Sequence, residues 1–596
     1  MKHIQYIAGL LLLGLLSGCA KELNQVPQST ASQQAVFGSV QGLQLYANSF
    51  YDQTLPSMDN IYKVDADLSD YGAANSCPTF LQAGAYSSRN TSGWSWTPLR
   101  NINYFIQGLA TSPVDPADKA NFMGLAKFFR AWFYFGMVQR YGNVPWINTP
   151  LDVSDTALYG PRAPRTLVMD SILADLQFAC GNISMKTDPT CSQITKWVAY
   201  GLLSRVCLFE GTFEKYQTSY NLTGSANTWL QLAATSAKAV MDSSGFGLYT
   251  GDGTSLSYRQ LFISNNPIAQ EVMLAEVASQ SLAVLNDANW FYTSATYGNR
   301  FSFIRTFINT YLNTDGTPFT NISGYDTLPF LKETQNRDLR LSQTIRTPGY
   351  TRTLNGQTVP APPVFSYTYT GYQPIKWCLD DEYYDNGANN TNSICLMRYA
   401  EILLNYAEAQ AELGQLTGAD WAATVGALRS RAGITGGLSA PPATADAYLQ
   451  TNYFPDVISP AILEIRRERG IELALEGFRF YDLVRWNHGE LLTKTWNGFY
   501  VPALNQLMDL NGDGIPDVYF YENTAPANQI STVTYINVAA VANGVVNPQI
   551  LSGGTSGELN WLNNVPRTWQ DYMYLYPIPY SELLLNPNLQ QNPGWQ

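Results

Sequence analysis

The sequence predicts a mostly α-helical protein: a tetratricopeptide-like solenoid of helical hairpins carrying a large irregular, loop-rich lobe with short strands. Three observations predict it. Apolar residues recur at helical spacing in two separate blocks of the chain. Small residues fall where paired helices would touch: Ala126 and Ala131, Ala199 and Gly201, Ala407 and Ala411. Between and after the blocks the helical period fades into Tyr, Thr, Phe and Pro runs broken by Gly and Asn.

The elements follow in order. Lys2 and the apolar run from Ile4 to Leu16 have the form of a secretory signal, residues 1–18. The run is too short to span a bilayer, which takes about 20 residues. Leu16-Ser17-Gly18-Cys19 places a cysteine after two small residues. Residues 19–34 are polar and read as a flexible tether. The body is residues 35–596. Its first helical block, residues 119–244, opens with Phe122, Leu125, Phe129, Trp132 and Phe133, a helix over Lys119 to Arg140. It ends at Tyr141-Gly142-Asn143-Val144-Pro145, where Gly caps and Pro blocks continuation. Further helices are expected over 165–179, 195–210 and 228–242. The second block, residues 397–490, predicts helices over 397–413, 421–432, 458–475 and 477–488. The irregular ligand-binding lobe is expected mainly at 50–105, 245–392 and 497–547. Long irregular segments of this kind usually carry function.

Composition limits the function. Asp and Glu number 47 against 35 Lys and Arg, a net charge of −12. No basic stripe is present to neutralise phosphates, which argues against nucleic acid. Charge is sparse, while Tyr, Trp and amides are plentiful, a palette suited to neutral polar ligands such as sugars. Only two histidines occur, His3 in the signal and His488. A His-based catalytic centre would have to use His488, which instead reads as a cation at a helix C-terminus. Six cysteines follow Cys19, with no CxxC spacing for zinc. Cys180 and Cys191 flank a polar turn and are the expected disulfide in an oxidising compartment. Cys207, within an apolar helical pattern, is expected to pack as a small hydrophobe.

Asp509, Asn511, Asp513, Ile515 (through its carbonyl) and Asp517 match alternate positions of an EF-hand-like calcium loop around Gly512 and Gly514. The twelfth position is Phe520, so the bidentate ligand would come from elsewhere, with Glu522 available. No cofactor is required; a structural Ca²⁺ is expected.

The segment from Glu464 to Trp486, Glu-Ile-Arg-Arg-Glu-Arg-Gly-Ile-Glu-Leu-Ala-Leu-Glu-Gly-Phe-Arg-Phe-Tyr-Asp-Leu-Val-Arg-Trp, resembles the signature of the SusD/RagB family of Bacteroidetes surface lipoproteins. Leu125 to Pro145, Leu396 to Ala409, Arg429-Ser430-Arg431-Ala432-Gly433-Ile434 and the tail from Tyr574 to Trp595 resemble its other segments, in the same order. The stretch ending at Cys19 resembles its lipobox. The resemblance implies lipidation at Cys19 and anchoring to the outer membrane, facing the exterior. It also implies capture of glycans without cutting them, and delivery to a SusC-like TonB-dependent transporter barrel. A peptide-capturing relative and, in a different class, a surface glycoside hydrolase stay open as alternatives. The charges of the signature fall three or four apart, so they either knit one helix or set how helix pairs dock. In family members a platform of Trp and Tyr stacks on sugar rings. The candidates here are Trp94 and Trp96 with Arg89, Asn101 and Asn103. Asp67, within the run Asp65, Asp67, Asp70, would accept hydroxyl hydrogens. Trp290, Tyr292, Tyr297 and Arg300 form the mid-chain group, and Tyr372 and Trp377 come third.

Overall fold

A computed structural model describes residues 33–222 and 224–595. The signal, Cys19 and most of the tether lie outside the described residues. Of the described residues 44% are helical, and their strands are short. After a short helical turn at Gln33–Phe37, the helices are α1 Val40–Thr54, α2 Met58–Asp67, α3 Thr97–Thr111, α4 Pro116–Tyr141, α5 Arg165–Asn182, α6 Lys196–Tyr216 and α7 Ala226–Ser243. After the middle lobe, which includes the short α8 Ala288–Thr293, come α9 Tyr399–Glu412, α10 Pro460–Glu472 and α11 Arg479–Arg485. α4 packs on α5, α5 on α6, α6 on α7, α7 on α9 and α9 on α10. This is a stack of helical hairpins, as the periodicity predicts.

Local chemistry sets the ends. Asp115 caps α4 by accepting from the Ala117 N–H, with Pro116 at the first helical position. Gly142 ends it at φ +71° and donates to the Val138 carbonyl. A side chain there would also meet Leu575 at 2.7 Å. The helix expected over 421–432 forms in three pieces: Gly418–Trp421, a π turn at Ala422–Gly426, and Ala427–Arg431. The π turn lets Gly426 lie against Leu438, whose carbonyl oxygen is 2.0 Å from where a Cβ would stand.

The expectation for 50–105 needs correction. All of α2 and most of α3 fall in that range, and α1 reaches into it. Their apolar positions keep the helical period: Leu43, Ala47 and Phe50 in α1, and Leu99, Ile102, Phe105 and Leu109 in α3, all buried. Polar residues between them mask the pattern. The middle lobe is irregular as expected, with small strands. β1 Val272–Glu276 pairs antiparallel with β2 Ile394–Arg398, tying the lobe to the start of α9. Near the C-terminus β3 Asn497–Val501, β4 Gln549–Leu551 and β5 Gly557–Trp561 make a sheet in the order β4-β5-β3.

The signature segment is buried. Every residue from Ile462 to Glu472 is buried, charges included. Glu472 accepts from Arg398 Nη1 at 2.6 Å, from Arg340 Nη1 at 2.8 Å and from Arg431. Glu476 accepts from Arg398 Nε and Lys376 Nζ, each at 2.7 Å. Glu408 accepts from Arg485 Nη2 and Trp486 Nε1, each at 2.7 Å. Pairs inside one helix are few beside these, Arg485–Asp482 at 2.9 Å and Arg467–Glu464 at 3.4 Å. The charges therefore dock helices against one another rather than knitting a solvated face. Glu472 is held well below the usual carboxylate value: burial opposes its charge, but the guanidiniums of Arg431, Arg398 and Arg340 outweigh it.

The cysteine expectation is overturned. Cys77, Cys180, Cys191, Cys207, Cys378 and Cys395 are all free and buried. Cys180 lies in α5, among its core-facing residues. Cys191 sits in a turn at φ 57° with its Sγ 3.1 Å from the Val272 carbonyl, to which it donates. The polar turn between them aims the two thiols at different neighbours. Cys207 packs as a hydrophobe in α6, as expected.

Candidate functional site

The middle lobe presents a partly exposed aromatic slab. Trp290, on α8, stacks on Tyr297 with ring centroids 3.6 Å apart and planes 11° off parallel. Tyr297 is 43% exposed. Beneath them Asp287 accepts from the hydroxyls of Tyr62 and Tyr297 and from Lys63 Nζ at 2.8 Å. Burial opposes the Asp287 charge, yet these donors outweigh it and hold the carboxyl below its ordinary value. Lys63 also bonds Asp59 at 3.0 Å. α8 is fixed by Asn289, whose Nδ2 donates to the Leu379 carbonyl and to Asp385, both at 2.9 Å. The rings are thus preoriented by a buried polar base.

Arg300 follows three residues later at φ 51° and lies over Tyr369, 5.4 Å from the ring centre. Tyr369 stacks in turn on Trp561 of β5, at 3.7 Å and 9°. Trp561 Nε1 donates to the Ala74 carbonyl at 2.7 Å. Tyr369 and Trp561 are absent from the sequence-based candidates. Only the fold, which brings β5 beside the middle lobe, reveals them.

The other candidates separate. Trp94 and Trp96 touch edge to face at 5.4 Å, and Trp94 packs on Tyr141 at the end of α4. Among the described residues no ring contact links them to Trp290 or Tyr297. Trp96 borders a shallow hollow of about 260 Å³ with Asn103, Ile147 and Leu158. Arg89 is exposed and lies over Tyr580 at 4.1 Å. Asn101 donates to Gln53 at 2.8 Å. Asp67 is exposed on α2, but its neighbours are core: Asp65 accepts from the Tyr71 hydroxyl, and Asp70 pairs with Arg479 at 2.6 Å.

Three candidates are corrected. Tyr292 is buried and donates to the Tyr62 carbonyl at 2.7 Å. Tyr372 is buried and donates to Glu333 at 2.6 Å. Trp377 is buried and donates to the Leu475 carbonyl at 2.9 Å. Their ring faces are in the core and their polar atoms are taken, so none presents a surface to ligand. Asn103 is likewise structural, with Nδ2 on the Ile147 carbonyl at 3.0 Å. His488 lies just past the end of α11, where its backbone N–H donates to the Leu483 carbonyl at 2.9 Å, while its ring nitrogens lie 2.9 Å from Glu490 and 3.2 Å from Asp456.

In the Asp509–Asp517 loop the carboxylates hold the loop's own amides. Asp509 accepts from the N–H of Gly512 and Gly514, Asp513 from Ile515, and Asp517 from Leu510. Asp517 is pushed up to about 6 by burial and by the nearby charges of Asp509 and Asp513. Among the described residues no three His, Cys, Asp or Glu side chains gather as a metal cluster. Phe520, at the twelfth position, is core, packed on Phe365 at 5.6 Å.

The family model described as "SusD family" matches residues 280–595, and one described as "Starch-binding associating with outer membrane" matches residues 28–208. The chain belongs to the SusD family. A SusD-like protein of Bacteroides ovatus is 26% identical over 44% of this chain and 47% of its own length, so the chain spans about half of that relative. SusD-like protein P2 of Formosa agariphila is 23% identical over 81% of this chain and 90% of its own. The crystal structure of a SusD-like carbohydrate-binding protein from Bacteroides fragilis is 20% identical, covers 93% of this chain and 100% of its own, and superposes with a TM-score of 0.67. That likeness establishes the shared helical fold. Among the described residues no helix is long and apolar enough to cross a membrane.

Proposed function

We propose that the protein is a non-catalytic glycan-binding lipoprotein of the cell surface, and that it grips sugar rings on the Trp290–Tyr297 slab with Arg300 beside it. The observation that carries this reading is the parallel, partly exposed ring pair whose Tyr297 is held from below by Asp287. A pyranose has an apolar face that packs on such rings and hydroxyls that bond the charged groups around them. The carbohydrate-binding relative and the starch-binding family model support the ligand class. Asp287 is a poor general acid, because its donors keep it ionised. Cys19 is the proposed lipid anchor, and the captured glycan passes to a SusC-like TonB-dependent barrel. Calcium is proposed for the Asp509–Asp517 loop, where it would draw the carboxylates away from the loop amides and relieve the crowding felt by Asp517.

Isothermal titration with maltohexaose and laminarihexaose tests the slab. Trp290→Ala is expected to weaken binding about 30-fold, a loss of about 2 kcal/mol typical of a central aromatic contact. Trp94→Ala is expected to leave binding unchanged. The reverse result would move the site to the end of α4. Sustained release of reducing ends from either sugar would show an enzyme.

A further inference from the structure

Away from the slab, a second cleft of about 630 Å³ opens where the middle lobe meets α10. This falls within the size range of ligand sites. One wall is the segment 316–325, the other is 440–452, and the floor is the exposed edge of the buried charge lattice. Arg467 pairs with Asp446 and lies 3.4 Å from Glu464. Arg429 bonds Glu464 and, through Nε, Glu468 at 3.1 Å. Arg467 is 5% exposed, and its Nε is buried without a hydrogen-bond partner. The guanidinium at the floor therefore carries a donor with no acceptor, which is costly in a buried position.

The walls are firm and aromatic. Tyr325 and Tyr448 meet at right angles with centroids 6.3 Å apart. The carbonyls of Tyr325 and Asp326 accept from Arg305 at 3.2 and 2.7 Å. Tyr448 donates to the Thr306 carbonyl at 2.9 Å. Neither tyrosine is in ring contact with Trp290 or Tyr297.

We propose that this cleft is a second saccharide site, separate from the slab. The charges decide the ligand class. Asp446 and Glu464 balance Arg429 and Arg467, so an ion of either sign meets a like charge at the floor. A neutral molecule bearing both donors and acceptors meets a partner at each position, and sugar hydroxyls are both. The perpendicular tyrosines offer one ring face and one ring edge to a pyranose. The choice of sugar over other neutral polar ligands rests on the glycan reading above.

The test is calorimetry on the full chain with maltohexaose, laminarihexaose and a mixed tripeptide pool as separate titrants. Tyr325→Ala removes one wall ring. Ala440→Trp fills the cleft from an exposed position without altering the floor charges. Wild type is expected to take up more than one oligosaccharide per chain. Either cleft variant loses one of these binding events, and Trp290→Ala loses the other. Oligosaccharide heat unchanged by both cleft variants, but lost in Trp290→Ala, would overturn the cleft and leave the slab standing. Heat that survives Trp290→Ala and vanishes in Ala440→Trp would support the cleft and overturn the slab. Heat from the tripeptides alone that Ala440→Trp removes, or no oligosaccharide heat in any protein, would overturn the saccharide assignment of the cleft.

Discussion

Glu472→Gln removes one charge and almost no volume. Its carboxylate faces Arg340, Arg398 and Arg431, and all four groups are fully buried or nearly so. Deleting one partner of such a set leaves uncompensated guanidiniums in a medium that cannot solvate them, at about 3–5 kcal/mol. The unfolding entropy of a chain this long is about 1.2 kcal/mol/K, from about 2 cal/mol/K per residue. The melting midpoint should therefore fall by about 3–4 °C, provided unfolding is close to two-state. Differential scanning calorimetry at neutral pH reads the shift directly. Lys238→Met is the control, since it breaks an exposed pair with Asp242 whose side chains are 45% and 56% exposed. Such pairs contribute about 0–1 kcal/mol, so its midpoint should move by less than about 1 °C. Equal small shifts in the two variants would refute the view that the signature charges hold the helices together.

Acid should expose the same lattice. Burial disfavours the Glu408 charge, but Arg485 and its neighbours bring its pKa down to about 2 in the folded protein. A folded value below the unfolded one gives stability that is complete above the ordinary glutamate range and is lost as pH falls toward about 2, here about 3 kcal/mol. Melting midpoints recorded from pH 5 to pH 2 should show the loss, and Arg485→Met should flatten that part of the curve. Gly426→Ala should cost about 1–3 kcal/mol, because the new methyl meets the Leu438 carbonyl and the π turn cannot yield freely; chemical denaturation that finds no change would mean the turn shifts aside. Calcium at about 100 times its dissociation constant should stabilise the fold by about 2.7 kcal/mol, or roughly 2 °C. Asp513→Ala should abolish that shift, and a wild-type midpoint indifferent to calcium would end the metal assignment.

The long helices were legible because their apolar residues recur without interruption, as from Phe122 to Val138. α1 and α3 were hidden for a physical reason. Gln, Asn, Ser and Tyr fill their outer faces, and only three or four buried positions in each carry the period. The signature charges were visible, but their depth was not: a spacing of three or four suits both a solvated face and a docking seam, and only the partners on distant segments, such as Arg340 and Arg398, decide between them. For the site, Trp290, Tyr297 and Arg300 were legible as neighbours in sequence that share a loop. Tyr292 lies between them yet points inward, since it stands two positions from Trp290 on the short helix α8, about 200° around the axis. Trp561 and Tyr369 needed the tertiary fold, because nearly two hundred residues separate two rings that lie 3.7 Å apart.

The seam of arginines and carboxylates also bears on how the chain can be divided. Its members come from Glu271, Asp338 and Arg340, Lys376, Arg398, Arg429 and Arg431, and the stretch from Glu464 to Arg485. A fragment that stopped before Arg398 would keep Glu271 without Arg398 and Arg431, and Arg340 without Glu468 and Glu472. A fragment that began there would carry the acids of α10 without Arg340 or Lys376. Each half would hide ions that have lost part of their pairing, so the molecule should tolerate cuts in its outer loops far better than separation into two independently expressed pieces.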